Sequence, residues 1–390
     1  MSKRSLFLIL GLLVALICLT ALRIGAPELF GVDAVSADYM IFHQVGELAN
    51  LGRVAEAYDA PAFKAYQLER TGSSVFMTWT YPPHFNLALQ VLAPLGVGLG
   101  YFVFTTLSLA FFIWGLFRFG SDAAVWALSL TMPAMAINLL TGQNGFLTAG
   151  LMALFAGLAL AQRSRIAGLV LGLLTYKPHL GLSLGLAALL RGGWRMVAVA
   201  CVTLLALLAL ATLLYGPDIW PAFLGGVKTS GELLQAGEYK FSRMITPFTL
   251  MASFGFANAS AMAVHVVWLL ISFGVLTWGC LKDWRLAHVI SLAILSGATL
   301  SPYAYDYDMC VLAPALALAL PAIQGLGKPA RMVLGASALL AGGYGLTTAL
   351  LADQLAGSGL GQLSLGGLGL MLTQALAFYA MARAEAAHIA

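Results

Sequence analysis

Charge is what this sequence has least of. Only 9% of its 390 residues are Asp, Glu, Lys or Arg, against 61% hydrophobic residues. Soluble domains carry about 25% charged residues. So few charges cannot cover the outside of a soluble fold of this length, which excludes that class. The same shortage of polar residues excludes intrinsic disorder, and no collagen-like or low-complexity period occurs. Cysteine is also sparse. Cys18, Cys201, Cys280 and Cys310 each sit in an apolar run with no CxxC pair, so neither a zinc site nor a redox pair is supported. They read as small buried hydrophobes. The excess of 20 basic over 16 acidic residues is slight, and its distribution below gives no nucleic-acid footprint.

What the chain has is long apolar runs. A helix of about 20 apolar residues crosses about 30 Å of hydrocarbon. Such runs lie near 5–24, 98–118, 123–140, 145–162, 195–215, 259–281, 285–300, 306–323, 330–352 and 361–382. Two more, near 166–176 and 179–190, are too short for ordinary spans and read as half-helices or a broken hairpin. The pattern predicts an all-α, multi-pass transmembrane helical bundle of about ten to twelve segments, one integral membrane domain over 1–390. The first run, after Ser2-Lys3-Arg4, reads as an uncleaved anchor, because no clear small-x-small cleavage site follows it.

Charge sets an orientation. Lys3, Arg4, Arg118, Arg163, Arg165, Arg191, Arg195, Lys282, Arg285, Lys328, Arg331 and Arg383 fall on one face, with only Asp122, Asp283 and Glu385 among them. By the positive-inside rule this face is cytoplasmic. Both termini are then inside, twelve crossings satisfy the count, and the membrane is the cytoplasmic (inner) one. Two long polar stretches, about 25–83 and about 216–247, fall outside. Between Asp38 and Gly52, Ile41, Val45, Leu48 and Ala49 recur at helical spacing, which predicts an amphipathic helix at the membrane interface.

Five compact polar clusters map to the external helix ends: Ser36-Ala-Asp-Tyr39, Tyr81-Pro-Pro-His-Phe-Asn86, Thr141-Gly-Gln-Asn-Gly145, Thr175-Tyr-Lys-Pro-His179 and Ser301-Pro-Tyr-Ala-Tyr-Asp-Tyr-Asp308. Ionisable groups at such depth usually face a wet cavity, and a shared face predicts one site. Asp38 is either a general base or a plain helix N-cap, with Asp33 a nearby competitor. His84, in the first turn after two prolines, either hydrogen-bonds a phosphate or sugar hydroxyl or anchors the interface. Gln143-Asn144, between two glycines, either bonds sugar hydroxyls or makes a turn. Lys177, ahead of Pro178 and His179, is a point charge suited to phosphate, or a snorkelling lysine. Asp306 and Asp308, among Tyr303, Tyr305 and Tyr307, suit a divalent metal, sugar hydroxyls or the orientation of basic residues. Arg243, at a helix entry in the second stretch, suits an anionic lipid head group or is a solvated loop charge.

The ordered set, an acid and aromatic after the first span, then Tyr-Pro-Pro, Gly-Gln-Asn, Lys-Pro and Ser-Pro-Tyr-(x)3-Tyr-Asp, resembles glycosyltransferase family 87 over about residues 33–315. Many members carry a His near Tyr305 or Tyr307. The resemblance implies a GT-C fold, with an external catalytic surface on the first long loop. It also implies hexose transfer, mannose foremost, from a polyprenyl-phosphate sugar donor to a lipid or glycan acceptor. Asp38 takes the position of the catalytic base. Lys177 matches the family's Lys-Pro and Gln143-Asn144 its Gly-Gln-Asn; with Tyr81, His84, His179, Arg243, Tyr305, Asp306 and Asp308 from the clusters above, they are the candidate substrate-binding residues. No cofactor is required and no protein metal ligand set is assigned; a divalent ion is compatible with the chemistry. Besides donor and acceptor, membrane lipids are the expected partners. The rival readings are a transporter or flippase of a lipid-linked sugar, to which broken helices are suited, and a scaffold subunit without chemistry.

Overall fold

The structure is a computed structural model that describes residues 3–30, 37–355 and 357–389, without the side chains of residues 3–12 and 389. Asp33 and Ser36 lie outside the described residues. The helices are α1 (Lys3–Gly25), α2 (Asp38–Asn50), α3 (Ala60–Thr71), α4 (Pro83–Leu92), α5 (Gly96–Phe117), α6 (Ser121–Thr141), α7 (Gly145–Leu160), α8 (Ser164–Leu173) and α9 (Pro178–Leu190). They continue as α10 (Trp194–Tyr215), α11 (Ile219–Gln235), α12 (Pro247–Ser253), α13 (Asn258–Leu281), α14 (Leu286–Gly297), α15 (Leu312–Gln324), α16 (Lys328–Leu350), α17 (Ala352–Leu355) and α18 (Leu365–Ile389). Among the described residues, seven helical stretches are long and apolar enough to cross a membrane, and five shorter apolar helices accompany them. The all-α, multi-pass architecture read from the sequence is therefore the one observed. One apolar stretch begins at Pro83 rather than near residue 98, because α4 runs into α5 through a single turn of 3-10 helix.

Local chemistry explains the breaks. Pro178 disfavours helical backbone at the residue before it and starts a new helix well. The chain accordingly leaves α8 through a 3-10 turn at Leu174–Tyr176, places Lys177 at φ −123°, and restarts as α9. α10 is the most lipid-like element: Leu205 and Leu213 point outward, and so does Cys201. Of the four cysteines, only Cys280 and Cys310 are fully buried, so the reading of all four as interior hydrophobes is corrected for Cys201, which lies on an outward apolar face.

The contacts sort the chain into two compact units, neither continuous in sequence. The first holds Met1–Ala110, Ile137–Asn144 and Leu205–Leu233; the second holds Phe111–Ala136, Gly145–Leu204 and Leu234–Ala390. In the first unit α2 is buried along most of its length rather than on one stripe. Tyr39, Phe42, Val45 and Leu48 all lie inside, with Phe42 against Phe85 of α4 and Tyr39 against Tyr101 of α5. The second long polar stretch begins with the 17-residue helix α11, an element the sequence reading did not identify. Phe223 of α11 meets Tyr58 at 5.8 Å between ring centroids, so the two long polar stretches pack on each other.

In the second unit, polar side chains tie apolar helices together. Gln374 of α18 donates to the Leu295 carbonyl of α14 and accepts from Trp268 Nε1 of α13, both at 2.6 Å. Residues that the charge pattern put on one face also meet here. Arg191 pairs with Asp283 at 2.7 Å, and Glu385 takes Arg285 at 2.8 Å and His288 at 2.5 Å.

Candidate active site

Three of the five polar clusters assemble in the first unit. Asp38 is the first residue of α2 and half-buried. The N-cap position belongs to Ala37, with no side-chain cap, so the reading of Asp38 as the cap is corrected. A carboxylate in the first turn instead gains from the positive end of the helix dipole. The next residue, Tyr39, is the hinge of the assembly. Its ring meets Tyr101 and Phe104, and Gly142 of the Gly-Gln-Asn turn sits against its Cβ. Gly142 has φ +71°, and a Cβ there would lie 2.5 Å from Tyr39 Cβ and 2.7 Å from the Tyr101 ring, so glycine is required twice over. Burial pushes the Tyr39 phenol well above its ordinary range, which keeps it neutral.

The same turn leaves Gln143 and Asn144 buried, with Gln143 Oε1 accepting the Asn144 N–H at 3.2 Å. Tyr81 belongs to the aromatic cluster on the other side of α2. Its ring lies 4.8 Å from Trp79, 5.0 Å from Phe85 and 5.8 Å from Phe42. Its carbonyl accepts the Tyr58 hydroxyl at 2.8 Å, and that hydroxyl accepts from Asn86 at 3.1 Å. His84 is buried in the first turn of α4, deeper than an interface anchor would be.

The remaining two clusters assemble in the second unit, joined by the end of the second polar stretch. Thr246 caps α12 and donates to the Pro302 carbonyl at 3.1 Å, while the Ile245 N–H donates to the Ala304 carbonyl at 3.1 Å. These bonds bring Arg243 alongside Asp306. Arg243 Nη2 then lies 2.9 Å from Asp306 Oδ1, and Nε lies 3.3 Å from Oδ2. Arg243 is thus no solvated loop charge. Two residues on, Asp308 takes Lys177 Nζ at 2.5 Å, with both side chains at most 6% exposed. Lys177 is therefore not snorkelling. Each cation thus holds a carboxylate, and each acid of Asp-x-Asp holds a cation. Of the roles open to Asp306 and Asp308, orienting basic residues is the one the geometry realises.

Tyrosines line the pairs. Tyr305 and Tyr307 stack at 5.5 Å with planes 7° apart; Arg243 lies over the first ring and Lys177 over the second, at 5.9 and 4.9 Å. Tyr303 continues the row to Tyr239, which has no motif of its own and was not legible. Tyr176 reaches Thr148 at 2.5 Å. His179, half-buried, opens α9 with its carbonyl near Gly297. Gly345 of α16 was missed as well. A Cβ there would strike the Asp306 carboxylate and lie 3.1 Å from Arg243 Cα, so the pair needs its absence. Among the described residues no group of three or more His, Cys, Asp or Glu side chains is placed to hold a metal ion.

An all-helical chain with seven membrane-length apolar stretches and ionisable groups buried in pairs at helix ends is a membrane protein with a polar working site. A sequence model described as glycosyltransferase family 87 matches residues 79–305, more than half of the chain, and the chain belongs to that family. It is a membrane glycosyltransferase, which decides against the carrier and scaffold readings. No curated protein and no solved structure matches it. The matched region includes Tyr81, His84, Gln143, Asn144, Lys177, His179, Arg243 and Tyr305; Asp38 precedes it, and Asp306 and Asp308 follow it.

Proposed function

We propose that the protein moves a hexose, mannose foremost, from a polyprenyl-phosphate sugar to a lipid or glycan acceptor. The reaction takes place on the extracytoplasmic face of the cytoplasmic membrane, within a GT-C arrangement whose termini are both cytoplasmic. The observation that carries this reading is the pair of cations Lys177 and Arg243, each fixed by a carboxylate and laid over one ring of a stacked tyrosine pair. Lysine has three donors and arginine five, so one carboxylate does not exhaust the donor capacity of either. Lys177 is held out of water and Arg243 is half-buried, so neither needs much reorganisation as negative charge develops.

The chemistry balances. The acceptor oxygen attacks the anomeric carbon as the bond to phosphate oxygen breaks, and one displacement inverts that centre. Asp38 takes the acceptor proton. The electron pair leaves on the polyprenyl phosphate, whose charge Lys177 and Arg243 stabilise. Tyr81, His84, Gln143, Asn144, His179 and Tyr305 contact substrate, while Asp306 and Asp308 orient the cations.

Purified protein in lipid nanodiscs, given labelled polyprenyl-phosphate hexoses or nucleotide hexoses with a membrane extract as acceptor, tests this. Transfer from the lipid-phosphate donors alone is expected. Transfer from nucleotide sugars alone overturns it.

A further inference from the structure

A cavity of about 640 Å³ opens in the first unit, between the turn at Val54–Tyr58, the first turn of α3 and the middle of α11. Glu56, Tyr58 and Asp59 form one side; Ala222, Gly225 and Thr229 form the other. None of the residues given a catalytic or substrate role above lines it. The volume falls in the range of about 300–1,000 Å³ typical of small-molecule sites. Ala222, Gly225 and Thr229 recur at helical spacing, so α11 turns one face of small side chains toward the cavity. A ligand can approach the helix closely there: a Cβ on Gly225 would meet nothing within 4 Å.

The lining is rich in acceptors. Glu56 is gripped by Arg53 at 2.7 and 2.8 Å, and Asp59 Oδ1 accepts the Ala62 N–H at 2.9 Å as the cap of α3. An ionised carboxylate has about four lone-pair positions, so both acids keep acceptor capacity toward the cavity. Because Arg53 already neutralises Glu56, the lining offers little net charge to a divalent cation. An apolar ligand would strip water from the carboxylates and return no hydrogen bond. A neutral ligand dense in hydroxyl donors satisfies them.

We propose that this cavity is a subsite for a glycan acceptor, holding sugar units that do not themselves react. The proposal rests on the transferase reading above. Asp38 is absent from the lining, so the units held here contribute remote binding, which an enzyme can use to position the reacting end.

The test measures binding of n-octyl mono- and trihexosides, in mannose and glucose series, to the full chain in nanodiscs by saturation-transfer NMR, with transfer from polyprenyl-phosphate hexoses followed in parallel. In one series the wild-type protein is expected to bind the trihexoside about tenfold tighter or more than the monohexoside. Gly225→Trp, which fills open space, brings that ratio close to one; Thr229→Val lowers it a few-fold and decides if the first variant does not fold. Equal affinities in the wild type, no binding of any probe, or a ratio that survives substitution overturns the proposal. A substitution-sensitive ratio without transfer from polyprenyl-phosphate hexoses defeats the proposed donor and leaves the subsite standing. Transfer with an insensitive ratio does the reverse.

Discussion

The two units bury polarity in opposite ways. In the first, the fully buried polar side chains near α2 are amides and an imidazole, Asn86, Gln143, Asn144 and His84, while the two acids of α2, Asp38 and Glu47, stay half-buried. In the second, Lys177, Asp306 and Asp308 are themselves buried, with Arg243 half-buried, and the charges come in pairs. A neutral network fixes backbone shape at little electrostatic cost. A buried ion pair is weak evidence for stability, because desolvation offsets much of the attraction. Its survival in so dry a setting is what function explains better than folding does. Substitutions should therefore separate fold from activity in the first unit and couple them in the second.

The largest expected effect sharpens the first half of that contrast. Asp38→Asn should lower kcat by about 10²- to 10⁴-fold, the range for a lost general base. Its melting temperature should stay near that of the wild type, since Asn is isosteric, the side chain is half-buried and the N-cap position belongs to Ala37. Unaltered transfer would remove Asp38 from the chemistry.

The second unit should behave otherwise. Lys177→Met leaves Asp308 buried without its cation and should cost about 3–5 kcal/mol, read as a lower melting temperature. Lys177→Met with Asp308→Leu should recover most of that stability and none of the transfer. A single variant as stable as the wild type would break the comparison. Gly345→Ala should have a smaller effect. It forces a methyl against Asp306 and Arg243 at about 1–3 kcal/mol, raising KM for the donor more than for the acceptor.

The smallest effect belongs to the first unit. Burial holds the His43 imidazole below its ordinary value, with Arg70 adding to the shift and Glu47 opposing it. The folded protein thus binds fewer protons at this site than the unfolded chain. Its contribution to stability is complete above about pH 6.5, the unfolded value, and is lost as pH falls through the lower folded value. A melting temperature that declines on acidification, less steeply in His43→Gln, is the expected record.

The sequence displays some of this and conceals the rest for definite reasons. Apolar run length located the spanning helices, and Pro178 marked the break at which Lys177 sits. α11 escaped because Lys228, Thr229, Ser230 and Glu232 depress its hydropathy while preserving a helical face. The ion pair of Lys177 with Asp308 joins residues 131 positions apart, a separation at which no local pattern reports pairing. Each residue was visible as a candidate; that they neutralise each other was not. The division into two units is equally hidden, because each is assembled from three separated segments.

In the reaction proposed above, Lys177, held by Asp308, receives the phosphate of the departing lipid. The direct measurement is the dissociation constant of unlabelled polyprenyl phosphate for the full chain in nanodiscs. It is compared with that of the variant combining Lys177→Met and Asp308→Leu, both proteins verified as folded by melting. Loss of about tenfold or more in affinity, the scale of one charged hydrogen bond, is predicted. Equal affinity in the two proteins would contradict it.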